Sequence, residues 1–111
     1  MRLTDFLSPA TVKVPLGGAS KEEILAEMVE VTCRGEEDQV CTAVLETIME
    51  RERLMSSGIG QGIAIPHGVW TLEKPFAGSL GIPARPVDFD SIDGKPVEIV
   101  FLLVCNEEHT N

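Results

Sequence analysis

Apolar positions along this chain keep two different periods. From Ser20 onward they recur at helical spacing, with Ile24, Leu25, Met28 and Val29 on one side of a 3.6-residue repeat. Ser20-Lys-Glu-Glu23 opens that segment as a capping box, in which a hydroxyl and a carboxylate each satisfy a free helix N–H, and Gly35 supplies a stop. A second helix begins near Asp38, with Val40, Val44, Leu45, Ile48 and Met49 making one apolar face. Arg51 and Arg53 near its C-terminal end complement the helix dipole. The period then changes. Gly62-Ile-Ala-Ile-Pro66 reads as a short strand entered through a glycine-rich loop and stopped by Pro66, which has no N–H to give a ladder. Ala77–Ile82 reads as a second strand, Asp93-Gly94 as a turn, and Val97–Cys105 as a strand buried on both faces. Val12–Leu16 adds another strand near the start. Two helices followed by mixed strands predict an α/β domain of two or three layers.

One tension accompanies this reading. A strand as apolar as Val97–Cys105 needs helices over both sheet faces, but only two helical patterns are present and six residues follow Cys105. The expectation is a single domain over 1–111 that is short of covering elements at its C-terminal side, with the uncovered strand favouring self-association.

Composition narrows the classes of function. The chain has 111 residues, 43% of them apolar, which suits one packed core and excludes a disordered tail. Its net charge of −9 argues against nucleic acid and anionic membrane surfaces, which need clustered Lys and Arg. The longest apolar run, Ile99–Cys105, is seven residues against the roughly 20 that span a bilayer. No secretory h-region follows Met1, and Cys33, Cys41 and Cys105 form no CxxC pair, so reduced thiols in a cytoplasmic protein are the simplest expectation.

Only two histidines are present, and His67 lies in the most unusual segment, Ser57-Gly-Ile-Gly-Gln-Gly-Ile-Ala-Ile-Pro-His67-Gly68. Gly58, Gly60 and Gly62 permit close backbone approach, but no Gly-Lys-Ser/Thr follows for a P-loop. A dinucleotide fingerprint follows a strand, whereas these glycines precede one. At the end of a strand, between Pro66 and Gly68, an imidazole projects into a crevice as nucleophile, base or ligand. The plainer alternative, a histidine that only hydrogen-bonds a loop carbonyl, weighs about equally on local pattern. His67 and His109 are 42 residues apart with no HxxxH or Cys/His cluster, which disfavours a metal site. No GxSxG marks a serine hydrolase. Arg51 and Arg53 have a plain reading too, as helix caps or partners of Glu50 and Glu52.

Taken together, several segments carry a resemblance: Leu3–Ser8, Glu50-Arg51-Glu52, Ser57–Gly68, Val87-Asp-Phe-Asp90, Ile92–Val97 and Phe101-Leu-Leu. They resemble the fructose/mannitol-type IIA domain of the bacterial phosphoenolpyruvate:sugar phosphotransferase system, which includes the nitrogen-regulatory IIA proteins. The resemblance covers nearly the whole chain, and the GIG-x-GIAIPH block is its most specific part. It implies a mixed β-sheet covered by helices, C-terminally truncated relative to the family. It implies that His67 accepts a phosphoryl group on Nε2 from HPr or an NPr-type phosphocarrier and passes it to a sugar-specific IIB domain. The alternative it leaves is a regulatory protein whose partner binding switches with phosphorylation. It implies Arg51 and His109 in the same pocket, His109 through Asn106-Glu-Glu-His109. Backbone N–H groups of Gly58, Gly60 and Gly62 are expected to complete a phosphate cradle. No metal, nucleotide or other cofactor is implied. Phosphoryl transfer between histidines needs mainly positioning and charge, which these residue types supply.

Overall fold

The computed structural model describes residues 7–71 and 76–106. A turn of 3-10 helix at Pro9–Thr11 leads into β1 (Val12–Leu16), followed by α1 (Lys21–Thr32) and α2 (Asp38–Leu54). Five strands come next: β2 (Gly58–Gly60), β3 (Ile63–Ala64), β4 (His67–Trp70), β5 (Phe76–Pro83) and β6 (Ile99–Asn106). The capping box forms with a shift of one residue. Ser20 Oγ accepts from the Glu23 N–H at 3.2 Å, while the Glu23 carboxylate reaches back to the Ala19 N–H at 3.1 Å. α1 ends at Cys33, and Gly35 turns the chain with φ +92°, a conformation that favours glycine.

The sheet runs β1-β5-β6-β3-β2, with β4 also paired to β6. β1 is parallel to β5, β5 antiparallel to β6, and β3 and β4 both parallel to β6. Both helices lie on one face. A Cβ added to Gly81 of β5 would sit 2.5 Å from Met28 Sδ of α1, and one added to Gly68 of β4 would sit 2.9 Å from Ile48 Cδ1 of α2. Glycine at these two positions lets the helices lie against the strands. Gly81 is in register with Val100 and Gly68 with Val104, so both helices cover the Val100, Leu102, Val104 side of β6. That side joins Leu16, Ile24, Leu25, Met28, Ile48 and Phe89 in one core. Each fully buried side chain of this size contributes about 1.5–3 kcal/mol by leaving water.

Two expectations are corrected, and one strand is added. β6 is not buried on both faces: Val100, Leu102 and Val104 are buried, while Ile99 is 41% exposed and Phe101, Leu103 and Cys105 are half-buried. The physical reason is that both described helices pack on one side. The glycine-rich stretch is not a loop. β2 and β3 form an antiparallel hairpin whose two central residues, Gln61 and Gly62, have φ of +57° and +79°, as a type I′ turn requires. Pro66 does stop the strand, for β3 ends at Ala64, but a further strand, β4, follows it directly. Pairing with β6 resumes at His67 in the register left at Ala64, since Ala64 faces Val100 and His67 faces Leu103. Pro66 lacks only the donor; its carbonyl accepts from the Leu103 N–H at 3.0 Å.

Candidate active site

His67 opens β4, immediately after Pro66, and its side chain is exposed. Arg51 lies in the last turn of α2. The close approach permitted by Gly68 sets that turn against β4, and Arg51 Nε donates to His67 Nε2 at 3.1 Å. The other ring nitrogen, Nδ1, is 3.1 Å from the Ile65 carbonyl oxygen. These two partners assign the tautomer. A guanidinium N–H only donates, so Nε2 is the bare acceptor; a carbonyl only accepts, so the ring proton sits on Nδ1. The histidine that hydrogen-bonds a loop carbonyl and the histidine that presents a nucleophilic nitrogen are the same residue.

Arg51, Leu54 and His67 are shared by two cavities, one of about 250 Å³ and one of about 400 Å³. The smaller also takes in Ile48, Met55 and Pro66, so an apolar wall flanks the Nε2 lone pair; the larger reaches Thr47, Glu50 and Val69. Leu54 and Met55 are largely exposed, at 82% and 79%.

The three glycines expected to cradle phosphate lie elsewhere, for none lines either cavity. A Cβ at Gly58 would strike Ser91 Oγ at 2.2 Å, one at Gly60 would sit 3.2 Å from Asp93 Oδ2, and one at Gly62 would sit 3.1 Å from Glu98 Oε2. Their role is to let the hairpin dock on the segment between β5 and β6. There the Gln61 N–H donates to Asp93 at 2.8 Å, and it is chiefly this bond, with one from the Lys95 N–H, that holds the Asp93 carboxyl below its ordinary range. The Asp93-Gly94 turn forms as expected, with Gly94 at φ +73°. His109 lies outside the described residues. Arg53 is exposed, and its last-turn place on α2 suits the helix dipole.

Sequence reasoning missed a buried polar network behind the site. Glu52, 8% exposed, accepts from the Ser57 N–H at 2.7 Å and the Ser57 hydroxyl at 2.5 Å, and it pairs with Lys21 Nζ at 3.3 Å. Lys21 also reaches Asp90 at 3.4 Å and lies 5.7 Å from the centre of the Phe89 ring. A signal existed. The buried residues of α2 are Val44, Ile48 and Glu52, a strict i, i+4, i+8 stripe, so an acidic residue occupies a core position. Among the described residues no group of three or more His, Cys, Asp or Glu side chains could hold a metal ion, and no helix is long and apolar enough to cross a membrane.

Comparison with known proteins agrees with the fold. The family model described as the phosphoenolpyruvate-dependent sugar phosphotransferase system, EIIA 2, matches residues 5–111. A nitrogen regulatory protein of Bradyrhizobium diazoefficiens is 39% identical over 112 aligned residues, covering 96% of this chain and 69% of that protein. The fructose-specific EIIABC component of Bacillus subtilis is 34% identical over 111 residues, covering 100% of this chain and 18% of that protein. Among solved structures, the nitrogen regulatory protein IIA-Ntr from Neisseria meningitidis superposes with a TM-score of 0.83 at 32% identity, over 93% of this chain and 70% of that one. A match spanning all but the first four residues, on a fold shared with IIA-Ntr, means that the chain belongs to the EIIA type-2 family of the phosphoenolpyruvate-dependent sugar phosphotransferase system.

Proposed function

We propose that this protein is a phosphohistidine carrier, in which His67 Nε2 accepts a phosphoryl group from a histidine of HPr or an NPr-type phosphocarrier and passes it on. The observation that carries this reading is the doubly fixed imidazole: the Ile65 carbonyl holds the Nδ1 proton, and Nε2 keeps its lone pair at a cavity mouth. In the transfer step the Nε2–P bond forms as the donor's N–P bond breaks, and the electron pair of that bond returns to the donor nitrogen. The Nδ1 proton stays, and the Ile65 carbonyl stabilises the positive charge that develops on the ring. Arg51 releases Nε2 and turns its N–H groups to the phosphoryl oxygens, whose negative charge is spread over three atoms in a loose transition state. His109 is a third participant on the resemblance of Asn106–His109 alone. The acidic chain, at −9, suits a carrier with a basic docking face, so transfer slows as salt rises.

The onward acceptor in this reading is a IIB domain, and the protein works in the cytoplasm. A second reading, favoured by the regulatory name of the 39%-identical relative, is that phosphorylation of His67 only switches binding to a regulated protein. The test is incubation with phosphoenolpyruvate, enzyme I and HPr. Wild type acquires an acid-labile phosphate that His67→Ala lacks, and label retained by His67→Ala overturns the site. Arg51→Ala folds normally and accepts phosphate about 10²–10³-fold more slowly, the usual loss for one transition-state donor. Transfer from the labelled protein to a IIB domain separates relay from regulator.

A further inference from the structure

The hairpin before His67 is missing one bond that its register calls for, and Glu52 is the reason. Gly58 of β2 faces Ala64 of β3, so one step outward Ser57 faces Ile65. In a hydrogen-bonded antiparallel pair the two residues exchange both N–H···O bonds. Here half of the exchange is made, with the Ile65 N–H donating to the Ser57 carbonyl at 3.0 Å. The reciprocal donor, the Ser57 N–H, turns instead to Glu52 Oε2 at 2.7 Å, and the Ser57 hydroxyl follows it to Oε1 at 2.5 Å. The Ile65 carbonyl, relieved of its ladder donor, is the one that meets His67 Nδ1 at 3.1 Å.

We propose that Glu52 is a positioning residue for His67: by drawing the Ser57 N–H out of the hairpin ladder it reserves the Ile65 carbonyl for the Nδ1 proton, and so keeps the lone pair on Nε2. The proposal deepens the phosphocarrier reading and rests on it for its catalytic meaning. Glu52 touches neither ring nitrogen and acts through Ser57 and Ile65. Lys21 Nζ, 3.3 Å away with a side chain only 13% exposed, anchors the carboxylate from α1. Arg51 precedes Glu52 on α2, so consecutive helical residues govern the two ring nitrogens, one directly and one through the strand.

With Glu52→Ala the Ser57 N–H loses its acceptor, and the backbone acceptor that completes the pair by register is the Ile65 carbonyl. His67 Nδ1–H then competes for that oxygen. The readout is the ¹H–¹⁵N correlation spectrum of the His67 ring in the unphosphorylated protein, which reports the nitrogen carrying the proton. Wild type shows the Nδ1–H form. Glu52→Ala is expected to shift population to the Nε2–H form and to slow phosphorylation about ten- to a hundredfold, the scale of a misplaced reacting group. Glu52→Gln retains an acceptor for the Ser57 N–H and is expected to restore the wild-type tautomer and most of the rate. A folded Glu52→Ala protein with unchanged tautomer populations overturns the proposal, as does a Glu52→Gln protein no better than Glu52→Ala. Should Glu52→Ala fail to fold, Ser57→Ala decides, since it removes one of the two Glu52 bonds: a partial shift toward Nε2–H supports the proposal and no shift overturns it. The tautomer is read without any phosphoryl donor. A wild type that shows the Nδ1–H form yet never takes label overturns the phosphocarrier reading and leaves this one standing.

Discussion

Two side chains with little in common, His67 and Glu27, illustrate how this protein uses backbone groups to hold ionisable residues. For His67 the holder is the Ile65 carbonyl. For Glu27 the holders are the N–H groups of Gly17 and Gly18, which the carboxylate spans from α1, with Lys13 beside it at 3.2 Å. Burial raises the Glu27 pKa, but these bonds and the Lys13 charge outweigh it and leave the carboxyl below its ordinary value of 4.5. A carboxyl that is more acidic folded than unfolded contributes stability that is present above the unfolded pKa and lost as pH falls through the folded one. Glu27→Gln is therefore expected to lower the melting temperature by a few degrees near pH 7. The gap to wild type should close as the pH drops below about 4.5, and a gap that persists unchanged into acid contradicts the account. Cys33 runs the other way: burial, with the neighbouring Cys41 adding to it, pushes its thiol up to about 12. That thiol stays protonated and packs as a small apolar group.

At the scale of elements, the contact between α2 and β4 sets the site. A methyl group at residue 68 would lie 2.9 Å from Ile48 Cδ1, so Gly68→Ala is expected to cost about 1–3 kcal/mol by overpacking. It should also push the end of α2 from His67 and weaken the Arg51 bond. Ile48→Val deletes the offending Cδ1, so the double variant Gly68→Ala/Ile48→Val should recover part of both the stability and the phosphorylation rate. Denaturant midpoints and labelling rates on the four proteins of this cycle measure the coupling, and strictly additive losses would show that the two positions do not meet. The helices, β1, β5 and the Asp93-Gly94 turn were legible in the sequence because each has a local cause: a cap, an apolar period, a turn residue. The β3 arm of the hairpin is legible within Gly62–Pro66, but the β2 arm, Gly58–Gly60, reads as a loop because it is three residues long and the hairpin docks on Asp93 and Glu98. β4 escapes the sequence reading because its pairing with β6 starts only after the proline stop, in a register that the folded sheet supplies. His67 and Arg51 were legible through the motif. The Glu52–Ser57 contact was not, since only the folded hairpin shows which bond it replaces.

At the scale of the whole molecule, the described residues leave one sheet face open. Ile82 and Ile99 lie on the side away from both helices at 39% and 41% exposure, with Leu103 and Cys105 half-buried beside them. The 111-residue chain is expected to self-associate through this face, with a sedimentation coefficient that rises with concentration. Ile99→Lys should abolish that rise without lowering thermal stability. Concentration-independent sedimentation of the wild type would show that the face stays free.

His67 is fastened to the frame on both sides of Pro66, through Ile63 and Ala64 before it and through its own pairing with Leu103 after it, all to the same strand. In the proposed role, a phosphoryl group on His67 would sit on backbone that is paired to β6 both before and after the proline. Gain and loss of the group would rearrange side chains, Arg51 first, and leave the sheet where it stands. A partner that distinguishes the two forms would then read negative charge and a moved Arg51 side chain at one spot on an apolar-rimmed surface, over an unchanged backbone.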